Sequence, residues 1–371
     1  MLASTHKRMD KRKKILFTGG HITPAIAVSD ELRELVVEAE IIFVGRLQTM
    51  EGGGESEEAR IVNARGFRFL SISAGRFTRA LNMLSFVGIM RIPFGFFRAF
   101  QICISERPDV IVSFGGYVAL PVVIAGWILG IPSLTHEQTR VPGLANRIIA
   151  HLAKRVCVSF TGTEREFPKH KTVVTGLPIR KSIFNPPNTS PFPIDLKKPL
   201  IFITGGSTGA QTLNRLIFPI VRNLTERYGV IHQTGRLDFQ NAPKISGYIA
   251  TAYLEERDYA WVINHARLVI GRSGANTIGE VAALGKVALL VPLPWSGENE
   301  QYENARYLEE AGTSRVLNQK NLTPAQLLTA VDAIWADVEA YGKNATKLSR
   351  EFPQNAAAEV TNQIMELFSH A

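Results

Sequence analysis

Four short runs in this sequence of 371 residues join glycine to small polar or histidine side chains directly behind an apolar stretch: Thr18 to His21 (TGGH), Phe114 to Tyr117 (FGGY), Thr204 to Ala210 (TGGSTGA) and Gly271 to Thr277 (GRSGANT). A glycine turn between a strand and a helix lets a ligand approach the backbone. The helix that follows aims free N–H groups and a partial positive charge at that ligand, which suits phosphate. Tight helix–strand packing alone also produces such a turn; four of them divided between two halves of a chain are harder to assign to packing. None is a P-loop, and none has dinucleotide-fingerprint spacing. In the last run, Ser273 or Asn276 is expected to cap the helix. Glu280 falls on the early turns of that helix. A carboxylate there can accept two hydroxyl hydrogen bonds, as from a ribose diol, or can merely complement the helix dipole. His21 is the candidate general base, because imidazole titrates near neutral pH; hydrogen bonding to a phosphate or capping the helix is its other possible role. His136 and Glu137 form a second candidate pair, with His136 read as structural at the end of a buried strand. No Asp-x-Asp occurs, so no metal site and no cofactor are expected.

The elements that must position these residues alternate. Apolar runs at KKILF, IIFVG, FRFLSIS, PDVIVSFGG, IPSLTHEQ, RVCVSF and KTVVTG read as strands separated by helical spacing, which argues for a parallel sheet covered on both faces. Leu177 to Pro199 then carries six prolines and reads as a domain boundary. Beyond it the pattern restarts: KPLIFITGGSTGAQTLN repeats the logic of KKILFTGGHITPAIAV, followed by strands at VIHQTG, YIATAYL, ARLVIGRSG and VALLVPLP. The expected class is α/β, two Rossmann-like, doubly wound parallel-sheet domains facing a central cleft. The expected organisation is a disordered basic arm over 1–13, a first domain over 14–176, a second over 177–352, and a terminal helix over 353–371 that can pack back on the first domain.

Hydrophobic residues are 45% and charged residues 20% of the chain, which excludes global disorder. The formal charge of +9 favours polyanionic partners without choosing among nucleic acid, anionic lipid and phosphorylated substrates. No nucleic-acid recognition motif occurs and basic residues are interspersed with acidic ones, so nucleic acid is not expected. Cys103 and Cys157 lie in apolar surroundings and read as buried free thiols, which makes a reducing compartment the default. Ala80 to Cys103 is the most apolar segment, but Arg91 and Arg98 interrupt it and Pro93 is expected to break it. It reads as partly core and partly membrane-facing rather than spanning.

Taken in order, GGHITPAIAV, FGGYVALP, IPSLTHEQ, GLPIR, ITGGSTGAQTLN, HQTGR, RSGANTIGE and ENEQYENA resemble the MurG family over nearly all of Lys13 to Leu317. The resemblance implies a GT-B fold with the donor held mainly by the second half and the acceptor by the first. It implies inverting, metal-independent transfer of N-acetylglucosamine from UDP-GlcNAc to the C4 hydroxyl of an undecaprenyl-linked MurNAc-pentapeptide. It also implies a cytoplasmic protein, peripheral on the anionic inner face of the cell membrane. By the same resemblance Glu280 holds the ribose hydroxyls, and Ala275, Asn276, Thr277, Ile278 and Gly279 run along the nucleotide. Ser207 sits at the donor phosphates, Arg180 on the donor side, the Leu254 backbone at uracil, and Thr139 and Gln301 at the donor sugar. Thr18, Gly19, Gly20 and His21 face the acceptor pyrophosphate and reacting hydroxyl, with Thr18 and Gly19 also reaching the donor, and Tyr117 lies in a second acceptor loop. The chain departs from the family in three places: TGGH stands for the usual GGTGGH, Thr139 for an asparagine, and Glu300 for glutamine or histidine. All three lie at the sugar or acceptor end. Another GT-B transferase, a UDP-GlcNAc epimerase and a non-catalytic binding protein are the alternatives.

Overall fold

The structure, a computed structural model, describes residues 13–36, 39–47, 56–72, 92–206 and 209–369. The expected arm short of Lys13, residues 80–91 of the apolar segment, and Ser207 therefore lie outside the described residues. The chain divides into two compact units. The first runs to Gln138, resumes over Pro142–Pro178 and takes Asn355–Ala371; the second is Thr139–Val141 with Ile179–Gln354. The sequence reading drew its divisions after 176 and after 352 and kept Thr139 in the first domain.

The first unit holds a seven-stranded sheet of β1 (Lys14–Thr18), β2 (Glu40–Gly45), β3 (Arg68–Ser71), β4 (Val110–Ser113), β5 (Ser133–Glu137), β6 (Arg155–Val158) and β7 (Thr172–Val174), in the order β3-β2-β1-β4-β5-β6-β7. The second holds a six-stranded sheet of β8 (Leu200–Thr204), β9 (Gly229–Gln233), β10 (Tyr248–Thr251), β11 (Ala266–Gly271), β12 (Val287–Leu290) and β13 (Ser314–Val316), in the order β10-β9-β8-β11-β12-β13. Neighbouring strands pair in parallel throughout. Parallel strands are covered on both faces, which is why β1, β4, β8 and β12 read as unbroken apolar runs with every residue of β4, β8 and β12 buried. β13 escaped the sequence reading: it is a three-residue edge strand with the exposed Arg315 at its centre.

Within the apolar segment a helix spans Ile92–Glu106, and Pro93 occupies its first turn, where a missing N–H costs nothing; the expected break ahead of it falls on residues outside those described. The terminal helix, Ala356–Ser369, belongs to the first unit, where Val360, Ile364, Leu367 and Phe368 join Phe17, Val28, Leu32 and Val112 in one apolar cluster. Cys103 and Cys157 are buried free thiols, and burial pushes them up to about 11 and about 12, so neither is a ready nucleophile.

Ile364 is fully buried in that cluster. Ile364→Ala is expected to lower the unfolding free energy by about 2–5 kcal/mol in urea titration; a change below about 0.5 kcal/mol would mean that the terminal helix does not seal the first core.

Candidate active site

All four glycine turns leave the carboxyl ends of strands, and they fall in pairs. β1 and β4 are neighbours in the first sheet, and β8 and β11 are neighbours in the second. Each pair marks the place where strand order reverses, the position at which open parallel sheets take their ligands.

In the first unit the TGGH and FGGY turns are stitched together. Phe114 N–H donates to the Thr18 carbonyl (2.7 Å), and Gly20 N–H donates to the Gly115 carbonyl (3.1 Å). Gly19 has φ +140°, and a Cβ on it would lie 2.7 Å from the Phe114 carbonyl carbon, so only glycine fits. The Nδ1–H of His21 donates to the Phe114 carbonyl at 3.1 Å, which leaves Nε2 as the ring's lone-pair nitrogen. His21 does not cap its helix, Ile22–Leu35, by a side-chain hydrogen bond. Thr18 Oγ1 is buried and has no hydrogen-bond partner among the described residues. The Arg46 guanidinium lies 5.4 Å from the centre of the Tyr117 ring.

The second candidate pair separates into two roles. His136 is fully buried: its Nε2–H donates to the Gly176 carbonyl (2.9 Å), and its Nδ1 accepts from Gln138 Nε2 (3.3 Å). Burial pushes it down to about 4, so it is a neutral structural ring. Glu137 is held by Asn146 Nδ2 at 2.8 Å. Asn146 Oδ1 in turn accepts from Thr135 (3.3 Å), and its side chain occupies the space a Cβ on Gly115 would need. Sequence reasoning missed Asn146; its only signal is a polar residue on the buried face of the helix Leu144–Leu152.

In the second unit Arg180 and Glu280, far apart in sequence, come together at 3.7 Å. Tyr259 OH donates to Glu280 Oε2 at 2.6 Å, and Arg180 also faces Glu256 at 3.6 Å. Glu280 is only 4% exposed. Burial raises its pKa, while Arg180 and the Tyr259 hydrogen bond pull it back toward the ionised form. Tyr259 is raised well above its ordinary range, first by burial and then by the Glu280 charge, so it stays a donor. Nothing in the sequence marked Tyr259.

The helix Ala275–Ala283 carries the predicted run Ala275, Asn276, Thr277, Ile278, Gly279 and Glu280. The expected cap is corrected: Gly274 is the N-cap and no side chain caps the helix. Ser273 Oγ instead donates to the Gln301 carbonyl (2.7 Å), and Asn276 Oδ1 is buried without a partner among the described residues. The helix Gln211–Ile217, behind the TGGSTGA turn, has Ala210 as its N-cap and no capping side chain among the described residues. Gln301 Oε1 accepts from Leu293 N–H (3.0 Å), which orients the amide and leaves Nε2 without a partner among the described residues. The Leu254 N–H is taken up by Gln233 Oε1 (3.2 Å), and Gln233 Nε2 donates to the Gly206 carbonyl (2.8 Å). Thr139 lies with the second unit because Arg140 is anchored there, by its N–H to Asn304 (3.4 Å) and its guanidinium to Glu310 (3.2 Å). Arg272 spans the same region: it donates to the Val291 carbonyl (2.7 Å), and burial pushes it down to about 10.

Residues 18–158 match the glycosyltransferase family 28 N-terminal domain, and residues 200–360 match the family 28 C-terminal domain. The UDP-N-acetylglucosamine--N-acetylmuramyl-(pentapeptide) pyrophosphoryl-undecaprenol N-acetylglucosamine transferase of Borrelia hermsii is 30% identical over 97% of this chain and 98% of its own. The enzyme of the same name from Desulforudis audaxviator is 35% identical over 86% of this chain and 88% of its own. The crystal structure of Acinetobacter baumannii MurG matches with a TM-score of 0.70 and 28% identity, covering 95% of this chain and 99% of that one. The chain belongs to the MurG family. It is therefore a glycosyltransferase, and its two parallel-sheet units are the α/β domains of the GT-B fold.

Two buried imidazoles give this MurG-family chain a pH signature. His136 in the first unit and His232 in the second, held by Tyr248 (2.9 Å) and Asn214 (3.0 Å), are pushed down to about 4 and about 3. Their folded pKa values lie below the unfolded value, so the stability they contribute is whole above about pH 6.5 and is lost as pH falls toward 4 and 3. The stability difference between wild type and His232→Asn, measured by urea unfolding from pH 4 to pH 8, is expected to change by up to about 1.4 kcal/mol per pH unit below pH 6.5. A difference independent of pH would contradict the assignment.

Proposed function

We propose that this protein transfers N-acetylglucosamine from UDP-GlcNAc to the C4 hydroxyl of the MurNAc sugar of undecaprenyl-pyrophosphoryl-MurNAc-pentapeptide. The transfer inverts the anomeric centre and uses no metal. The observation that carries the reading is the match to enzymes named for this reaction over nearly the whole length of both chains. The geometry supports the division of labour. In the first unit the His21 Nδ1 hydrogen bond to Phe114 directs the tautomer, so Nε2 can take the proton of the attacking hydroxyl. In the second unit Glu280 receives the ribose diol, with Tyr259 and Arg180 holding and orienting the carboxyl group. The departing diphosphate is met by the first-turn amides of Ala275–Ala283 and Gln211–Ile217, whose N–H groups no side chain claims among the described residues, and by Ser207. Gln301 Nε2 and Thr139 face the donor sugar, and Leu254 lies at the base. Thr18, Gly19, Gly20 and Tyr117 hold the acceptor.

An anionic membrane surface is the proposed working place. No helix of the described residues is long and apolar enough to cross a membrane. Phe94 and Phe97, 71% and 66% exposed on Ile92–Glu106, and Trp127 and Ile128 at the end of the adjoining helix Ala119–Ile128 present apolar side chains to solvent. On the next helix Leu144, Arg147, Ile148 and His151 are exposed on one face, an apolar and basic mixture that suits an anionic interface.

The test is UDP release by the purified chain with and without the lipid-linked acceptor. Glu280→Ala is expected to raise the donor KM about 10- to 100-fold through the loss of charge-assisted hydrogen bonds. His21→Ala is expected to lower kcat by about 10² to 10⁴ with little change in donor KM. UDP release that ignores the acceptor would point to an epimerase, and an unchanged donor KM in Glu280→Ala would remove the ribose from this helix.

A further inference from the structure

A second charged recess lies in the second unit, on the edge of the sheet opposite the glycine turns. It encloses about 480 Å³ and is lined at the amino ends of β11 and β12 by Ala266, Arg267, Gly285, Lys286 and Val287. The facing wall is the helix Val338–Glu351, which contributes Glu339, Gly342, Lys343, Thr346, Lys347 and Arg350. The lining therefore holds five cations and one carboxylate. That carboxylate, Glu339, is already paired with Arg267. The Lys286 ammonium donates to the Asn264 and Ala266 carbonyls at the foot of the recess, and burial pushes it down to about 8. Lys343, Lys347 and Arg350 make no ion pair among the described residues.

Lys343 and Lys347 stand four residues apart on one helix face, with Arg350 a turn further on. Like charges at that spacing destabilise a helix unless something neutralises them. The walls suit a small anion. Gly342 leaves open space where a side chain would project, and the Gly285 turn, φ +60°, lets the helix approach so closely that a Cβ there would lie 3.1 Å from the Ala345 carbonyl oxygen. The volume falls within the range of about 300–1,000 Å³ found for small-ligand sites. A membrane-docking face is disfavoured, because no exposed large apolar side chain belongs to the lining.

We propose that this recess binds a soluble anion bearing at least two adjacent phosphate groups, held between Lys343, Lys347 and Arg350 on the helix and Lys286 on the turn. The site is separate from the one proposed for the sugar nucleotide: none of the residues that line the recess is among those assigned to the donor. The two are nevertheless physically joined, because Gly285 and Lys286 form the turn leaving the helix Ala275–Ala283, and Val338–Glu351 packs against that helix.

The experiment is calorimetric titration of inorganic pyrophosphate into the full chain already saturated with UDP-GlcNAc, repeated with Lys343→Glu/Lys347→Glu. One equivalent should bind, weakening with salt, and the double variant should lose at least about tenfold in affinity while keeping wild-type affinity for UDP-GlcNAc. Lysine acylation mapped by mass spectrometry should show pyrophosphate protecting Lys286, Lys343 and Lys347. Absence of binding to the saturated wild type, or undiminished binding by the double variant, would overturn the proposal. So would capture of wild type but not the double variant by phosphatidylglycerol vesicles without any pyrophosphate binding, which would assign the recess to a membrane surface.

Discussion

Close approach of backbone to backbone at the strand ends is the constraint from which the site follows. A Cβ on Gly19 would sit 2.7 Å from the Phe114 carbonyl carbon, and one on Gly209, φ +78°, would sit 2.5 Å from the Thr234 carbonyl oxygen. These missing side chains let neighbouring loops hydrogen-bond to one another, Phe114 to Thr18 and Gly20 to Gly115. In that arrangement the His21 ring finds the Phe114 carbonyl, and its tautomer follows. A single methyl group at Gly19 would push the two turns apart and leave the imidazole without its anchor.

Charge is handled differently in the two units. The buried Glu280 carboxylate is tolerated because Tyr259 and Arg180 lie against it; removing either would leave a charge in a low-dielectric setting with too few partners. That arrangement is costly for stability, and in the proposed function it serves recognition, since an oriented carboxylate need not reorganise when a diol arrives. The first unit keeps its buried imidazole, His136, neutral and spends it on holding Gly176, while the half-exposed His21 is the base of the proposed reaction.

Much of the fold was legible because parallel strands are buried on both faces, so that runs such as LIFIT and VIVS announce themselves and glycine marks their ends. The same signal fails for Ser314–Val316, a short edge strand with a solvent-facing arginine. Arg180 and Glu280 were named for separate reasons, and the structure brings them together. Their partner Tyr259 was invisible, as was Asn146, because a polar side chain inside a helix becomes informative only once its contact across the fold is known. The cap of Ala275–Ala283 was misread for a related reason: Ser273 has a better partner in the Gln301 carbonyl, a residue distant in sequence. Thr139 follows Arg140 into the second unit through Asn304 and Glu310, contacts that no local pattern encodes.

In the proposed reaction the amides at the start of Ala275–Ala283 meet a nucleotide diphosphate while Glu280 meets its ribose. A crystal structure of the chain with UDP tests this most directly. The account predicts the diphosphate within hydrogen-bond distance of the first-turn N–H groups and both ribose hydroxyls on the Glu280 carboxylate. A nucleotide bound elsewhere, or one whose ribose leaves Glu280 with only Tyr259 and Arg180, would contradict it.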